Sequence, residues 1–277
     1  MEIKQNPFSV YDFLGYLTPG IIFIQCSSYY MSHIFKDNQN ITAILNYTTP
    51  DSAKQYLPFV LASYVMGHIL SLVSSWVIEL YLIKRHGHAS KYLLGQEIKG
   101  YFNSFDNNNF KKIRGLIFIV ILFPISILDK ILGDHLRMKF LYAKELDGLL
   151  QNIIIKKIEH VIKTHGKPDQ EIEYNPDNQN YFAYIYHYTL ENTNHHIQKF
   201  QNYVTLYGLL RNLTLIALLF FWLSAATFIS DITNINLLYF TTFTGLLAFT
   251  LFVGYSKFMR RYTVEVLMAF ATSYKTD

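Results

Sequence analysis

The segment VTLYGLLRNLTLIALLFFWLSAATFI, residues Val204–Ile229, is one of four strongly apolar stretches that decide the fold. A second stretch follows it after a short link, and the other two lie near the N-terminus. The full set is Phe13–Phe35, Leu57–Ile83, Val204–Ile229 and Ile235–Ser256. Each is close to the ~20 residues that a helix needs to cross ~30 Å of hydrocarbon. The pattern predicts an all-α membrane protein with four transmembrane helices in two pairs.

Composition agrees with this prediction and narrows the chemistry. Aromatic residues make up 17% of the chain, with 22 Tyr and 22 Phe, and many lie near the ends of the apolar stretches, where membrane interfaces favour them. Cys26 is the single cysteine, which excludes an intramolecular disulfide and a cysteine-based zinc site. The N-terminal residues lack a signal-peptide pattern, so the first stretch is expected to remain as a transmembrane helix.

The distribution of Lys and Arg predicts the orientation of the spans, because positively charged loops stay on the cytoplasmic side. The insert 84–203 carries 16 Lys and Arg against 12 Asp and Glu, whereas the loop 36–56 contains only Lys36 and Lys54. The link 230–234 contains neither Lys nor Arg, and basic residues follow the last span. We therefore expect a multi-pass protein whose insert and both termini are cytoplasmic.

One further apolar segment, Ile113–Leu128, does not fit the simple scheme. It is only about 16 residues long and contains Pro124, and a stretch this short is more often a buried, interfacial or re-entrant helix than a span. If it crossed the membrane, Lys130 and the basic residues after it would move outside, against the charge rule. We predict a non-crossing helix, with a fifth span as the alternative.

The domain boundaries follow from the apolar stretches. Residues 1–83 and 204–256 are predicted as the two transmembrane hairpins, 84–203 as a helical cytosolic sensory insert, and 257–277 as a cytosolic C-terminal tail. Apolar residues recur every three or four positions over Ile131–Lys163, which predicts a helix in the insert. From Tyr181 the chain has neither Gly nor Pro until Gly208, so one continuous helix is predicted over Tyr181–Ile229, coupling the insert to the third span.

The second span carries a polar stripe. Its members fall at offsets of four, three, four and four residues, which places them on one helix face: Tyr64, His68, Ser71, Ser75 and Glu79. Polar and ionisable groups at membrane depth tend to face a bundle interior or a water-filled cavity. A stripe that ends in a carboxylate suits the lining of a cation path. Helix packing is the alternative, since Ser can bond to backbone carbonyls and small residues let helices approach.

Basic residues of the insert form a candidate ligand-binding group: Lys156, Lys157, Lys163 and Lys167. With the many aromatic residues they suit a nucleotide or DNA oligomer, and attraction to anionic lipid explains them at least as well. His187, Glu191 and His195 are spaced by four residues but are interpreted as solvated histidines and a carboxylate, so no metal and no cofactor is predicted. Known nucleotide-binding and nucleophile motifs are missing from the sequence, and enzymatic activity is not predicted.

The segments YDFLGYLTPG (Tyr11–Gly20) and YSKFMRRYTVEVLMAF (Tyr255–Phe270), together with the overall plan, resemble the small membrane effectors of bacterial anti-phage systems. Within that group the chain is most similar to the channel subunits of the Hailong system. This resemblance implies an oligomeric ion channel in the bacterial inner membrane. It also implies control by a nucleotide oligomer that a partner nucleotidyltransferase makes.

Taken together, the residues and the resemblance predict an oligomeric, gated membrane channel whose cytosolic insert senses a nucleotide-type ligand or a partner protein. A pore needs several chains when each contributes so few helices, and a homotetramer is expected. Two alternatives stay open. One is a membrane-anchored interaction or scaffold protein without a pore, and the other is a small membrane enzyme.

Overall fold

The computed structural model describes residues 10–34, 50, 52–96, 109–165, 181–193 and 195–275. Within these ranges the chain forms helices joined by short turns and contains no strand, so the predicted all-α class is confirmed. The longer helices, numbered in chain order, are α1 Thr18–Ile34, α2 Ala53–Ser74, α3 Asn109–Ile121, α4 Gly148–His165, α5 Tyr181–Asn192, α6 Ile197–Ser230 and α7 Ile235–Ser273.

Two of these helices are continuous with π turns, in which hydrogen bonds join residues five apart instead of four. The turn Phe13–Leu17 precedes α1, and the turn Ser75–Glu79 follows α2 and leads into the helix Leu80–His86. Shorter helical elements occupy Ala89–Tyr92, Ile125–Leu128, Asp129–His135 and Met138–Leu141. Both π turns bond to α6, the first through the Gly15 carbonyl and Asn212, the second through Glu79 and Arg211.

Several helices are long and apolar enough to span a membrane. Three meet this description in the described residues: Gln55–Tyr92, Ile197–Ser230 and Ile235–Ser273. A fourth is reached if Gly115–Ile121 and Ile125–His135, which are bent by 98° to each other, count as one span. The first predicted stretch is divided by its π turn, which leaves α1 with 17 residues. The structure therefore supports three to four spans, and their arrangement in two hairpins remains a prediction.

The chain divides into two compact units. The first unit consists of Met1–Leu80, Leu122–Leu128 and Thr205–Tyr255, and the second of Tyr81–Ile121, Asp129–Val204 and Ser256–Asp277. Residues Leu122–Leu128 thus belong to the first unit, although the segments on either side of them belong to the second. The apolar segment Ile113–Leu128 is therefore not one straight helix, and its two halves lie in different units.

In the first unit, α1 and α2 approach each other through two glycines. A Cβ atom on Gly20 would collide with the backbone carbonyl of Ser63, and one on Gly67 would collide with the backbone of Tyr16. The contacts run in opposite directions along the two helices, so α1 and α2 are antiparallel. Only glycine allows backbones to approach this closely, which is the usual role of small residues between membrane helices.

Helices α6 and α7 of the first unit are also antiparallel. Near one end the rings of Tyr207 and Tyr255 lie 6.3 Å apart, and further along a Cβ on Gly245 would lie 3.1 Å from Phe221. The segment Leu122–Leu128 packs beside Gly245, because Pro124 Cγ would lie 3.3 Å from a Cβ on this glycine. Its Leu122 and Ile125 are fully buried.

The second unit has an apolar core formed by α4, α5, the helix Ala89–Tyr92 and the C-terminal part of α7. Leu267 and Phe270 of α7 are completely buried in it. Residues 257–273, which belong to the predicted cytosolic C-terminal tail, therefore continue α7 and contribute to this core. The apolar residues of Val264–Phe270 give this part of the chain a buried face, and α7 continues without a break to Ser273.

Two helix predictions are also corrected. Ile131–Lys163 is not one helix, because Arg137 adopts a left-handed conformation (φ 54°) and α4 begins only at Gly148. The continuous helix predicted over Tyr181–Ile229 is interrupted, since α5 ends at Asn192 and α6 begins at Ile197. At the end of α5 the Thr193 hydroxyl donates to the carbonyl of Thr189 (2.6 Å). Such local bonds of Thr and Asn side chains compete with helix continuation.

Candidate functional site

Arg211 is the centre of a cluster of polar groups inside the apolar part of the first unit. It lies seven residues into the stretch that begins at Val204, about 10 Å along the helix axis. Its Nη1 donates to the Glu79 carboxylate, its Nη2 lies 3.0 Å from the Ser71 hydroxyl, and its Nε lies 3.1 Å from the Ser74 hydroxyl. All three guanidinium nitrogens therefore have acceptors, as a buried Arg requires.

Asn212, the next residue, extends the cluster to the N-terminal segment. Its Nδ2 donates to the Gly15 carbonyl (2.8 Å), and its Oδ1 accepts from the Ser74 hydroxyl (2.6 Å). The residue four positions after Gly15 is Pro19, which has no N–H and cannot provide the usual α-helical bond to that carbonyl. Asn212 supplies a donor in its place. We call Ser71, Ser74, Glu79, Arg211 and Asn212 the polar cluster.

A π turn explains how Ser71 and Glu79 reach the same guanidinium. Eight residues make about 2.2 turns of an α-helix, which would leave the two side chains about 80° apart around the helix axis. The π turn Ser75–Glu79 has more residues per turn, so the same eight residues come closer to two full turns. The side chains of the Arg211–Glu79 pair are 13% and 33% exposed, so Arg211 is the more deeply buried partner.

Tyr64 and His68 of the predicted stripe form an aromatic cluster with Tyr16. The ring of His68 stacks on Tyr16 with centroids 3.9 Å apart, and Tyr64 meets the same imidazole edge-on at 4.6 Å. His68 is nevertheless exposed on the surface of the single chain. It lies eleven residues after Leu57, about 16 Å along the helix, which is near the middle of a bilayer core ~30 Å thick.

The structure thus divides the five predicted pore-lining candidates into three groups. Ser71 and Glu79 contact Arg211, and Tyr64 and His68 pack with Tyr16. The Ser75 hydroxyl donates to the Leu72 carbonyl (2.7 Å), which is the backbone bonding that the packing alternative predicts. The stripe is therefore partly an interhelical polar contact. Its role in lining a path remains a prediction.

Sequence reasoning missed Arg211 and Asn212. A signal was present, because an Arg within a long apolar stretch is costly in lipid and points to an acidic partner in the membrane. The length and hydropathy of the stretch 204–229 do not reveal this pairing. Glu79 was the carboxylate to pair with it, since it is the acidic residue of the second span.

One of the predicted ligand-binding lysines, Lys157, has backbone partners in the structure. Lys157 Nζ donates to the backbone carbonyls of Ala271 (2.7 Å) and Tyr274 (2.5 Å), so it closes the C-terminal end of α7. Lys156 and Lys163 are exposed on α4, and Lys167 lies outside the described residues. No group of three His, Cys, Asp or Glu residues in the described ranges could hold a metal ion.

The second unit contains its own buried charge network. Asp129, which is fully buried, accepts hydrogen bonds from Arg85 Nε (2.8 Å) and from the hydroxyls of Tyr81 (3.2 Å) and Tyr142. Arg85 also binds Asp134 (2.5 Å). Burial and the neighbouring Asp129 charge raise the pKa of Tyr142 well above its ordinary value, so this phenol stays protonated as a donor. His86 Nε2 lies 3.5 Å from the Asp129 carboxylate, so Asp129 is surrounded by two basic side chains and two phenols.

Comparison with known proteins gives no further guide to the site. Neither a protein-family model, nor a curated protein, nor a solved structure matches the chain. The polar cluster and the exposed His68 are therefore the features from which a function must be argued. Both place ionisable side chains among helices that are apolar enough for a membrane.

Proposed function

We propose that the chain is a homo-oligomeric, gated ion channel. The observation that carries the proposal is His68, an ionisable side chain that is exposed on one chain and lies about 16 Å along the apolar second stretch. Such a group is costly against lipid and is found against protein or water. Neighbouring chains that cover this face of α2 would place His68 and Ser71 beside an aqueous path. A tetramer is the proposed assembly.

The topology we propose has four spans in two hairpins, with both termini in the cytoplasm of a bacterial cell. The bent segment Gly115–His135 is then a re-entrant element that enters and leaves on the cytoplasmic side. Two facts support this choice over a fifth crossing. Within the bent segment, only Leu122–Leu128 belongs to the first unit. Asp129, the next residue, binds Arg85, which is one of the basic residues at the end of the second span.

The Arg211–Glu79 pair is the proposed gate. In the structure the carboxylate is neutralised by the guanidinium, so it contributes no net charge to attract cations. Opening would separate the two groups and leave Glu79, which is already one-third exposed, to attract cations at the mouth of the path. The π turn Ser75–Glu79 is a suitable place for such a change, since π turns within α-helices often occur at functional sites.

The biological setting we propose is anti-phage defence, with the insert 84–203 sensing a nucleotide-type ligand or a partner protein. This part rests on the resemblance to anti-phage membrane effectors. Lys156 and Lys163 are the exposed cations of α4 that remain for such a ligand, since Lys157 bonds to backbone carbonyls.

Ion flux from liposomes tests the channel, with oligomer mass in detergent measured in parallel. His68→Leu should abolish flux without changing expression or assembly, whereas Ile69→Leu, at the adjacent exposed position, should conduct normally. Unchanged flux in His68→Leu would refute the pore assignment. A monomer in detergent and in membranes would favour the scaffold alternative, because one chain has too few helices to enclose a path.

A further inference from the structure

A tight connection between two short helices of the second unit exposes large apolar side chains. The helices are Asp129–His135 and Met138–Leu141, and Arg137 adopts its left-handed conformation between them. Leu136 is 59% exposed and Phe140 is 62% exposed. Exposed apolar side chains that lie close together often mark a contact with a protein or a membrane. We call this connection, from Leu136 to Phe140, the exposed turn.

Ion pairs attach the exposed turn to the end of the second apolar stretch. Arg85 Nη2 lies 2.5 Å from Asp134 Oδ2, and Lys139 Nζ lies 2.5 Å from Asp134 Oδ1. Asp134 comes two residues before Leu136, and Lys139 directly precedes Phe140. Both exposed apolar side chains are therefore close in the chain to residues that are bound to Arg85, either directly or through Asp134.

The place of Arg85 along its helix puts the exposed turn at the membrane surface. Arg85 belongs to the helix Leu80–His86 and lies two residues after the apolar stretch Leu57–Ile83. Two residues correspond to about 3 Å along the helix axis. The headgroup region on each side of the hydrocarbon is about 5–7 Å thick, so Arg85 and the groups bound to it lie at the level of the headgroups. This holds for whichever side of the membrane carries this end of the span.

The charges beside the exposed turn are complementary to an anionic lipid surface. Lys130 and Arg137 are both exposed. The two neighbouring carboxylates, Asp129 and Asp134, are both paired with Arg85. The acidic groups are thus neutralised within the unit, whereas the basic groups face outward. Basic residues next to exposed apolar side chains bind anionic membranes, because the apolar groups insert at the boundary of the acyl chains and the cations attract the headgroups.

We propose that the exposed turn docks on the surface of the membrane that the chain spans. Leu136 and Phe140 insert at the level of the headgroups, and Arg137 binds the phosphate of an anionic lipid. The docking would hold the segment that follows Leu122–Leu128 against the bilayer. The proposal rests on the chain spanning a membrane and not on the channel function, since a scaffold or an enzyme with the same spans would dock equally.

Quenching of a fluorescent label on the exposed turn tests the docking. The full-length chain carries Cys26→Ser, which removes the single native cysteine, and Phe140→Cys, which takes a bimane label. It is reconstituted into liposomes of phosphatidylglycerol or of phosphatidylcholine. Both kinds of liposome contain a lipid with a nitroxide quencher near the top of one acyl chain, so that only a label at the level of the headgroups or deeper is quenched strongly.

Lys163→Cys with the same label is the matched control, because Lys163 is also exposed and belongs to the same unit. It lies on α4 three residues after His160, whose Nδ1 is 2.8 Å from the hydroxyl oxygen of Tyr274. Tyr274 directly follows α7, and α7 runs for about 25 Å beyond Ser256, where the last apolar stretch ends. The control label is therefore far from the headgroups.

In phosphatidylglycerol, quenching of the label at Phe140→Cys should exceed that at Lys163→Cys by about threefold, and phosphatidylcholine should give less quenching. Adding Arg137→Gln should lower the ratio of docked to free turns about fivefold, the effect of one cation at an anionic surface. A label at Leu136→Cys repeats the measurement if Phe140→Cys folds poorly.

Three results would overturn the proposal. Quenching at Phe140→Cys as low as at Lys163→Cys would leave the exposed turn free for a protein partner. Equal quenching in the two lipids would exclude an anionic surface as the occupant. A disulfide between two Phe140→Cys chains, formed on oxidation of the unlabelled protein in liposomes, would show that a second copy covers the turn.

Discussion

The Arg211–Glu79 pair gives the sharpest prediction, because its two partners are buried to different extents. Glu79→Leu leaves a guanidinium that is 13% exposed without its carboxylate. Arg211→Met leaves a carboxylate that is 33% exposed and can still be hydrated. The double variant Glu79→Leu/Arg211→Met leaves no unpaired charge at all. We therefore expect the double variant to be more stable than Glu79→Leu alone.

The magnitudes follow from burial. Removing one partner of a buried ion pair costs about 3–5 kcal/mol, and we expect about 3 kcal/mol for Glu79→Leu because the Ser hydroxyls still accept from Arg211. Hydration of the more exposed carboxylate reduces the cost of Arg211→Met to about 1–2 kcal/mol. The double variant loses only hydrogen bonds to Ser71 and Ser74, about 1 kcal/mol. The coupling between the two sites is then about 3–4 kcal/mol.

Unfolding of the purified chain in one detergent, by heat and by denaturant, measures these differences. A loss of 1 kcal/mol lowers Tm by about 2–4 °C at this size, so Glu79→Leu should lower it by about 6–12 °C. Lys199→Met is the control, because Lys199 is 60% exposed where it meets Glu265 and its loss should cost at most about 1 kcal/mol. If the losses of the single variants simply add in the double variant, the two side chains do not interact and the proposed gate is refuted.

Three other predictions concern packing, the buried network and topology. Gly67→Leu should separate α1 from α2 and cost more than about 3 kcal/mol in unfolding free energy, and a stable variant would contradict the close approach. Tyr142→Phe should cost about 1.5–3 kcal/mol, since it removes a hydrogen bond to the Asp129 carboxylate, and an unchanged denaturant midpoint would contradict that bond. With the native cysteine replaced, Lys112→Cys and Ile131→Cys should react with an impermeant maleimide from the same side of the membrane. Labelling from opposite sides would mean a fifth crossing.

The sequence predicted the helices better than their interruptions. Length and hydropathy were enough for α6 and the apolar part of α7, because a long apolar helix has few alternatives in lipid. The breaks depend on local competition that periodicity does not show. The end of α5 at Asn192 arises from side-chain bonds to the preceding turn, and the first π turn ends at Leu17, two residues before Pro19.

Only part of the candidate site could be predicted from the sequence, because the residues that bond to each other are far apart along the chain. The stripe of the second predicted span identified Ser71 and Glu79, but Arg211 lies 132 residues from Glu79 and Asn212 lies 197 residues from Gly15. Periodicity within one helix cannot pair residues on different helices. Asp129 is a similar case, since nothing in its neighbours indicates that two tyrosines and Arg85 surround it.

The contact of Lys157 with the end of α7 can be followed by the chemical reactivity of its amine. Its amine is held by the carbonyls of Ala271 and Tyr274, whereas Lys156, its neighbour on α4, is exposed. Acylating reagents need a free amine, so Lys156 should be modified quickly and Lys157 slowly. The ratio of the two, read from one peptide by mass spectrometry, is independent of reagent dose. If treatment with a ligand increases the modification of Lys157 relative to Lys156, the C-terminal end of α7 has been released from Lys157. The measurement can be made in the intact cell.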